Sequence, residues 1–563
     1  MYRWYYIPYW LEKTGLPAGA PAAEQTTKGI DGLRADFGQG MPPQFWEYTV
    51  NVARSHKWSF VFMTESLDGG AVTYRSNRHF DILNENIVFP WQSANNTTAH
   101  RAIFESRRTA YGQGLVLLNN TSHDEAGYAD PWQAFIRYAV GGAIDGAPMV
   151  MYGQEIGTSN LGSFNHYELN FGKQIPHFKR YNSMQPQWTA WENNTFGVRN
   201  LMPAYSGVGL AREFSPALRS SHRWFLNPAG SNAPDEEIFA VAKYETPGGT
   251  PSTSDAVLAF QNLDRSSAQA NTFGIPPNLA NQLGLKPGRT YNVRNIAAYL
   301  GPNNEYPGRR DALLWPGGKT RAQLENEGVF VSLNAIPSSN AAWSTAPFEP
   351  QYLKIYDTTA PSGISGGVSF DISGNFSISS NATFTWNAVP PSEGITPLYR
   401  VTTTANGVAS SQIVSTTSYT FEAVGDVAVS VSVEAVNPND PSQASSPTVP
   451  TPVKYLLTAD GDFDGDGQPN AADADPLAAS DLPRIAVASV GTALLEGNST
   501  TVTHGFSAEP GKVFNLQFTG ELSQPWGTVP DVSTGNGSFS VDFSKPGDHR
   551  QDWNGSMFFR AVR

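Results

Sequence analysis

The sequence contains no cysteine. Disulfide frameworks, thiolate metal sites and cysteine nucleophiles are therefore excluded. It also contains no apolar run near the roughly 18 residues that a membrane-spanning helix needs, so no membrane span is expected. The opening residues, 1–6, lack the basic and then apolar pattern of a secretory signal peptide. An exported location must therefore be inferred from other features.

Basic residues are in the minority. The chain has 37 Lys and Arg against 50 Asp and Glu, which gives a net charge of −13. Nucleic acid is not expected as a partner, because phosphate binding requires clustered cations. A neutral polysaccharide needs no matching charge. The 14 Trp and 22 Tyr suit stacking on sugar rings, although aromatic residues more often fill cores.

An arginine and an acid stand near the end of a short strand-like run, residues 30–37. Apolar and polar residues alternate there, which predicts a strand with Arg34 and Asp36 near its carboxyl end. A nearby guanidinium favours the ionised form of a carboxylate, which can act as a nucleophile. Taken alone, an Arg-x-Asp pair is more often a surface ion pair.

Two further apolar runs lead into acids. Residues 58–65 end at Glu65, and residues 115–120 lead to His123 and Asp124. Two intervening segments are long enough for helices, residues 43–54 and 99–111. Strands that alternate with helices predict a parallel sheet, and the carboxyl ends of its strands would bring the acids to one edge.

These runs resemble three signature regions of the α-amylase family of glycoside hydrolases, family thirteen. Residues 32–36 read Gly-Leu-Arg-Ala-Asp, Glu65 follows Asp36 by 29 positions, and Asp124 follows Glu65 by 59. The order and spacing suit strands four, five and seven of the family's (β/α)8 TIM barrel. The resemblance therefore implies that these residues form one active site.

The resemblance also implies roles for five residues. Asp36 would be the nucleophile, Glu65 the general acid/base, and Asp124 the acid that holds sugar hydroxyls as the ring distorts. Arg34 would orient Asp36, and His123 would bind a sugar hydroxyl. Many family members carry Lys-His or Arg-His after the nucleophile, whereas residues 37–40 here read Phe-Gly-Gln-Gly. Sugar contacts on the leaving side are expected to differ.

The fold class that we predict is a partial (β/α)8 TIM barrel, strands 4 to 8, followed by all-β sandwich domains. The expected domains are the partial barrel (1–226), a β-sandwich that follows it (227–357), a fibronectin type III-like sandwich (358–453), a calcium-binding acidic linker (454–482) and a C-terminal β-sandwich (483–563).

The acidic linker has the register of a calcium loop. Its candidate ligands are Asp462, Asp464, Asp466, Gln468, Asn470 and Asp473, at loop positions 1, 3, 5, 7, 9 and 12. Gln468 would offer its carbonyl oxygen. The loop resembles thrombospondin type 3 and dockerin repeats more than a full EF-hand; the alternative is a solvated acidic linker. Such weak sites fill where calcium is plentiful, which favours a secreted or cell-surface protein.

The function that we predict is retaining hydrolysis of α-glucosidic bonds in starch-like or glycogen-like α-glucans. One alternative is an α-glucan transferase of the same family, which passes the glycosyl group to a sugar. Another is a non-catalytic carbohydrate-binding or adhesion protein with a vestigial barrel. Because only 35 residues precede Asp36, we expect strands one to three to be absent, the chain to be a truncated form, and its activity to be impaired.

Overall fold

The structure is a computed structural model of the chain. The described residues are 5–66, 72–84, 87–121, 128, 130–151, 153–157, 189, 191–194, 197–299, 311–337, 348–466, 468–478, 485–508, 510–520, 522–523 and 525–562.

The chain divides into two compact units. The first comprises residues 1–363, 389–398 and 435–446, and the second comprises residues 364–388, 399–434 and 447–563. The predicted barrel and the sandwich after it thus fall in the first unit. The acidic linker and the C-terminal sandwich fall in the second unit, while residues 358–453 contribute to both.

A five-stranded parallel sheet forms the first part of unit 1. Its strands lie side by side in chain order: β1 (Gly32–Ala35), β2 (Val61–Glu65), β3 (Ile82–Asn84), β4 (Leu115–Leu118) and β5 (Ala147–Pro148). Consecutive parallel strands require crossover connections, and helices supply them. The described residues do not close this sheet into a barrel, because β1 and β5 remain its two edges.

Eight helices accompany this sheet in the described part of the chain. They are α1 (Ile7–Lys13), α2 (Pro43–His56), α3 (Val72–Arg78), α4 (Val88–Ser93), α5 (Thr97–Tyr111), α6 (Pro131–Gly142), α7 (Val198–Phe214) and α8 (Pro216–Arg219). Capping side chains explain where two of these helices begin. Asn96 accepts a hydrogen bond from the Ala99 N–H at the start of α5, and Asp130 accepts one from the Trp132 N–H at the start of α6.

One core fixes β1 to β3 against the first two helices. Leu11 of α1 and Trp46 and Ala53 of α2 are buried with Phe62 of β2 and Leu83 of β3. The two helices therefore cover one face of the sheet, and they hold the carboxyl ends of β1 and β2 in register.

Antiparallel strands form the rest of unit 1. The first sheet contains β6 (Arg223–Phe225), β7 (Ile238–Tyr244), β8 (Ala256–Asn262), β10 (Thr290–Asn295), β11 (Lys319–Thr320) and β13 (Gln351–Asp357). The second pairs β9 (Gln269–Phe273) with β12 (Val329–Leu333), and two helices, α9 (Pro277–Gln282) and α10 (Arg321–Glu327), lie in the connections.

Both faces of β7 are buried. Phe239 and Val241 join the core that contains α6 and α7, whereas Ile238, Ala240 and Ala242 join a second core with α9. Successive side chains of a strand point to opposite faces, so this one strand serves two cores. The antiparallel sheet is thereby packed on the helices of the parallel sheet.

Unit 2 is composed of β strands apart from one short helix, α11 (Arg550–Trp553), among the described residues. Its strands, some of which extend into the segments of unit 1, are β14 (Ser369–Phe370), β15 (Phe376–Ile378), β16 (Asn381–Thr385), β17 (Leu398–Ala405), β18 (Val408–Val414), β19 (Ser418–Glu422), β20 (Val427–Val436), β21 (Lys454–Leu457), β22 (Ala486–Ser489), β23 (Leu494–Glu496), β24 (Ser499–Ser507), β25 (Val513–Thr519), β26 (Gly527–Ser533), β27 (Ser538–Pro546) and β28 (Phe558–Val562).

These strands form four sheets. The orders are β14-β16-β19, β15-β21-β20-β17-β18, β22-β24-β23 with β27 also paired to β24, and β26-β25-β28. The first two sheets lie where the fibronectin type III-like sandwich was predicted, and the last two lie in the predicted C-terminal sandwich. No helix in the described part of the chain is long and apolar enough to cross a membrane.

Candidate active site

One guanidinium connects the first two predicted acids. Arg34 Nη1 lies 2.8 Å from Asp36 Oδ1, and Arg34 Nη2 lies 3.2 Å from Glu65 Oε2. The sequence predicted the first pair but not the second. The structure therefore brings the proposed nucleophile and the proposed acid to opposite branches of the same side chain.

Strand register explains this convergence. Ala35 of β1 is paired with Thr64 of β2 in a parallel ladder. Asp36 and Glu65 are the next residues along the two strands, so both stand at the carboxyl edge of the sheet. Catalytic groups of (β/α) barrels are found at this edge, because loops there surround the strand ends.

The turn after Asp36 connects the two strand ends a second time. The Phe37 N–H donates a hydrogen bond of 3.2 Å to Glu65 Oε2, and Phe37 itself has a φ of +47°. Gly38 then passes against β2, where an added Cβ would lie 1.9 Å from Thr64 Oγ1. Its carbonyl oxygen accepts a hydrogen bond from the Trp46 indole N–H. These contacts hold Phe37 and Gly38, the two residues after Asp36, against the end of β2.

The two carboxylates differ in accessibility. The Asp36 side chain is 79% exposed, whereas that of Glu65 is 18% exposed. Glu65 Oε2 accepts from Arg34 and from the Phe37 N–H, while Oε1 makes no hydrogen bond to another described residue. The Asp36 carboxylate is thus the more solvent-exposed of the two acids.

The third predicted acid follows β4. Asp124 and His123 lie outside the described residues, so the structure does not place them. The described chain after β4 continues through Asn119, Asn120 and Thr121, all of which are buried. This segment leaves the sheet at the same carboxyl edge as Asp36 and Glu65.

Two asparagines at this edge were not found from the sequence. Asn84 ends β3 and pairs with Glu65 in the strand register; its Oδ1 is buried and makes no hydrogen bond to another described residue. Asn119 follows β4, and its Oδ1 and Nδ2 are also buried and make no hydrogen bond to another described residue. A polar residue at the end of each apolar run was the available signal. Both amides are suited to binding hydroxyl groups.

The acidic loop of unit 2 brings three predicted ligands together. Asp462, Asp464 and Asp466 each offer a carboxylate oxygen within 4.8 Å of the others. Asp464 Oδ2 and Asp473 Oδ2 are buried and make no hydrogen bond to another described residue. Loss of hydration, followed by the charges of the neighbouring aspartates, raises the pKa of Asp464 against the opposing effect of the Asp466 N–H. A cation would relieve this repulsion.

The other two predicted ligands are placed differently. Asn470 is buried; its Oδ1 accepts from the Phe463 N–H at 3.0 Å, and its Nδ2 donates to Thr458 O at 2.8 Å and to the Asp426 carboxylate. Its amide holds the loop against the ends of β20 and β21 and does not face the cluster. Gln468 is exposed, and its N–H donates to Asp466 Oδ1 at 2.8 Å.

No protein-family profile and no curated protein matches the sequence. Solved structures that are similar to it include three α-amylases. That of Anoxybacillus is 13% identical, with 59% of this chain and 60% of that chain covered and a TM-score of 0.39. Maltogenic AmyB of Thermotoga neapolitana is 12% identical, with 58% and 61% covered and a TM-score of 0.34. That of Lactobacillus plantarum is 12% identical, with 60% and 64% covered and a TM-score of 0.34. The chain spans about three fifths of the length of these proteins.

Replacement of Gly38 tests the close approach of the Asp36 turn to β2. Gly38→Ala should destabilise the protein by about 1–3 kcal/mol, because the added methyl group meets the buried and β-branched Thr64. Chemical denaturation measures this loss. Gly363→Ala is the matched control, since a Cβ there meets nothing within 4 Å. Equal stability of the two variants would show that the turn does not pack on β2.

Proposed function

We propose that the chain is a glycoside hydrolase of the α-amylase family, which cleaves α-glucosidic bonds in starch-like or glycogen-like α-glucans and retains the anomeric configuration. The observation that supports this best is the shared guanidinium of Arg34. It places Asp36 and Glu65 together at the carboxyl edge of a parallel sheet. Two carboxyl groups with separate roles are what retaining hydrolysis requires.

The proposed reaction has two displacement steps. Asp36 attacks the anomeric carbon and forms a glycosyl ester, while Glu65 donates a proton to the departing glycosidic oxygen. Glu65, now ionised, then takes a proton from water as the water displaces Asp36. We assign the transferred proton to Glu65 Oε1, because Oε2 accepts from Arg34 and the Phe37 N–H.

We assign the roles of the remaining residues as follows. Arg34 orients the Asp36 carboxylate and keeps it apart from Glu65, since the two acids contact different nitrogens. Asp124 and His123, which come after β4, would bind the hydroxyl groups of the sugar. The strand order of the five-stranded sheet supports its assignment to strands four to eight of a (β/α)8 barrel, with β3 as strand six.

We expect slow turnover. Asp36 is the more exposed of the two acids, with 79% of its side chain accessible. An exposed nucleophile is hydrated and less rigidly held than one that a complete cleft surrounds, which lowers its contribution to catalysis.

The same acids also serve transfer to a sugar acceptor, so product analysis in the presence of maltose will distinguish hydrolysis from transglycosylation.

Two substitutions test the catalytic pair on different substrates. Asp36→Asn and Glu65→Gln should each lower starch hydrolysis by at least about 10²-fold. An aryl α-maltoside with a dinitrophenolate leaving group needs no proton from the enzyme. Glu65→Gln should therefore still release a burst of dinitrophenolate, whereas Asp36→Asn should release none. Stopped-flow absorbance measures this burst.

Glu213→Gln provides the control, because Glu213 is an exposed residue of unit 1 at the end of α7. It should retain the parent rate on both substrates. If Glu65→Gln lost activity equally on both substrates, or if Asp36→Asn released a burst, the assigned roles of the two acids would be wrong.

We also propose that the acidic loop binds calcium through Asp462, Asp464, Asp466 and Asp473. The three converging carboxylates and the two buried carboxylate oxygens without partners among the described residues support this. Calcium prefers oxygen ligands of this kind. Asn470 would stabilise the loop from outside the cluster. A weak site of this type fills where calcium is abundant, which favours a secreted or cell-surface protein.

Calcium titration tests the loop. We expect binding in the range of about 0.1–1 mM and a higher melting temperature of unit 2, because calcium binds only the folded loop. Asp464→Asn should weaken binding at least about tenfold, since it removes a charged ligand. Asp475→Asn, an exposed neighbour outside the cluster, should bind normally. Calorimetry without heat at about 10 mM calcium, or equal binding of magnesium, would contradict this proposal.

A further inference from the structure

A cavity of about 400 Å³ opens at the edge of the parallel sheet opposite to Asp36 and Glu65. Its wall includes residues 112–116, which lead into β4, and residues 144–146, which precede β5. The remaining wall comes from the end of α5, the end of α8 and the start of β6. The cavity is therefore at the amino ends of the strands and is separate from the proposed active site.

The charge of this cavity is opposite to that of the chain. Among the described residues, Arg107, Arg108, Arg219 and Arg223 line it together with a single acid, Asp145. The whole protein carries a net charge of −13. Arg108, in the last turn of α5, offsets the partial negative charge of that helix end. Arg219 and Arg223 belong to other elements, so the helix end does not explain the whole excess.

The arginines differ in how they are held. Arg223 is almost fully buried and pairs with Glu105 at 3.0 Å and with Asp145. Arg219 is exposed and donates from Nη1 to the carbonyl oxygens of Glu213 and Arg212. Arg108 is exposed and makes no hydrogen bond or ion pair with another described residue. Guanidinium donors thus remain available at the cavity wall.

The one acid is already shared. Asp145 pairs with Arg223 and lies 3.6 Å from Lys243 Nζ, which is fully buried and donates to Ser220 O. Burial lowers the pKa of Lys243 to about 7, against the opposing effect of Asp145. Asp145 therefore cannot neutralise the exposed arginines as well, and the cavity has a surplus of positive charge.

We propose that this cavity binds a phosphate group, either free or as the ester of a small molecule. Guanidinium groups suit phosphate oxygens, because their paired N–H donors match them in geometry and charge. A doubly charged anion also neutralises the surplus positive charge of the cavity, which a neutral sugar does not. The cavity volume exceeds that of a phosphate ion and falls in the range of small-molecule sites, which leaves room for an ester.

Calorimetric titration of the full chain at constant ionic strength tests this proposal. Inorganic phosphate and glucose 6-phosphate are the two probes, and glucose and sodium chloride are the blanks. We expect at least one phosphate probe to bind, and the tighter of the two identifies the source as free phosphate or an ester. The variant with both Arg108→Gln and Arg219→Gln should bind at least about tenfold more weakly, because two charged donors are lost.

Arg78→Gln is the matched control, because Arg78 is an exposed arginine of α3 outside the cavity. It should bind phosphate like the parent chain, and circular dichroism should show that all variants are folded. Undiminished binding by the double variant would overturn the proposal, as would equal heats from chloride or from a dicarboxylate. Absence of heat from both phosphate probes would also overturn it. None of these results depends on the catalytic role of Asp36.

Discussion

The shared guanidinium of Arg34 is the constraint on which the account of this protein depends. Two carboxylates at adjacent strand ends repel each other, and a cation between them makes their close approach possible. The side chains are partly exposed, so these ion pairs add little to stability, about 0–1 kcal/mol each. Their importance is geometric. The parallel pairing of β1 and β2 sets the distance along the strands, and Arg34 sets the separation of Asp36 from Glu65 across them.

The parts of the site that could be predicted are those that the chain encodes locally. An alternating run that ends in an acid placed Asp36 and Glu65 at strand ends, and both are there. The contact of Arg34 with Glu65 could not be predicted, because it depends on the register between strands 29 positions apart. Asn84 was missed for another reason. The three residues of β3 are too few to show a period in the sequence.

In the fold as well, some elements follow from the local sequence and others depend on pairing between distant segments. A proline at its start predicts a helix from Pro131 to Gly142, and the structure has a helix with those bounds, whose start Asp130 caps. Ser215 followed by Pro216 in the sequence also predicts a helix over residues 215–225, and this prediction is wrong beyond Arg219. Ser215 caps a single turn, after which residues 223–225 pair with β7 as a strand. Pairing of residues 223–225 with β7 therefore outweighs the local preference of the sequence for a helix. Residues 147–155 resemble the last barrel strand of the α-amylase family, but among the described residues only Ala147–Pro148 form a strand there.

The most direct measurement is identification of the residue that becomes glycosylated. A 5-fluoro-α-glucosyl fluoride forms the glycosyl ester quickly and releases it slowly, so the intermediate accumulates. Proteolysis and mass spectrometry should then find the added mass on the peptide that contains Asp36, and the label should be absent from Asp36→Asn. A label on Glu65, or turnover of the reagent without any labelled peptide, would contradict the assignment of Asp36 as the nucleophile.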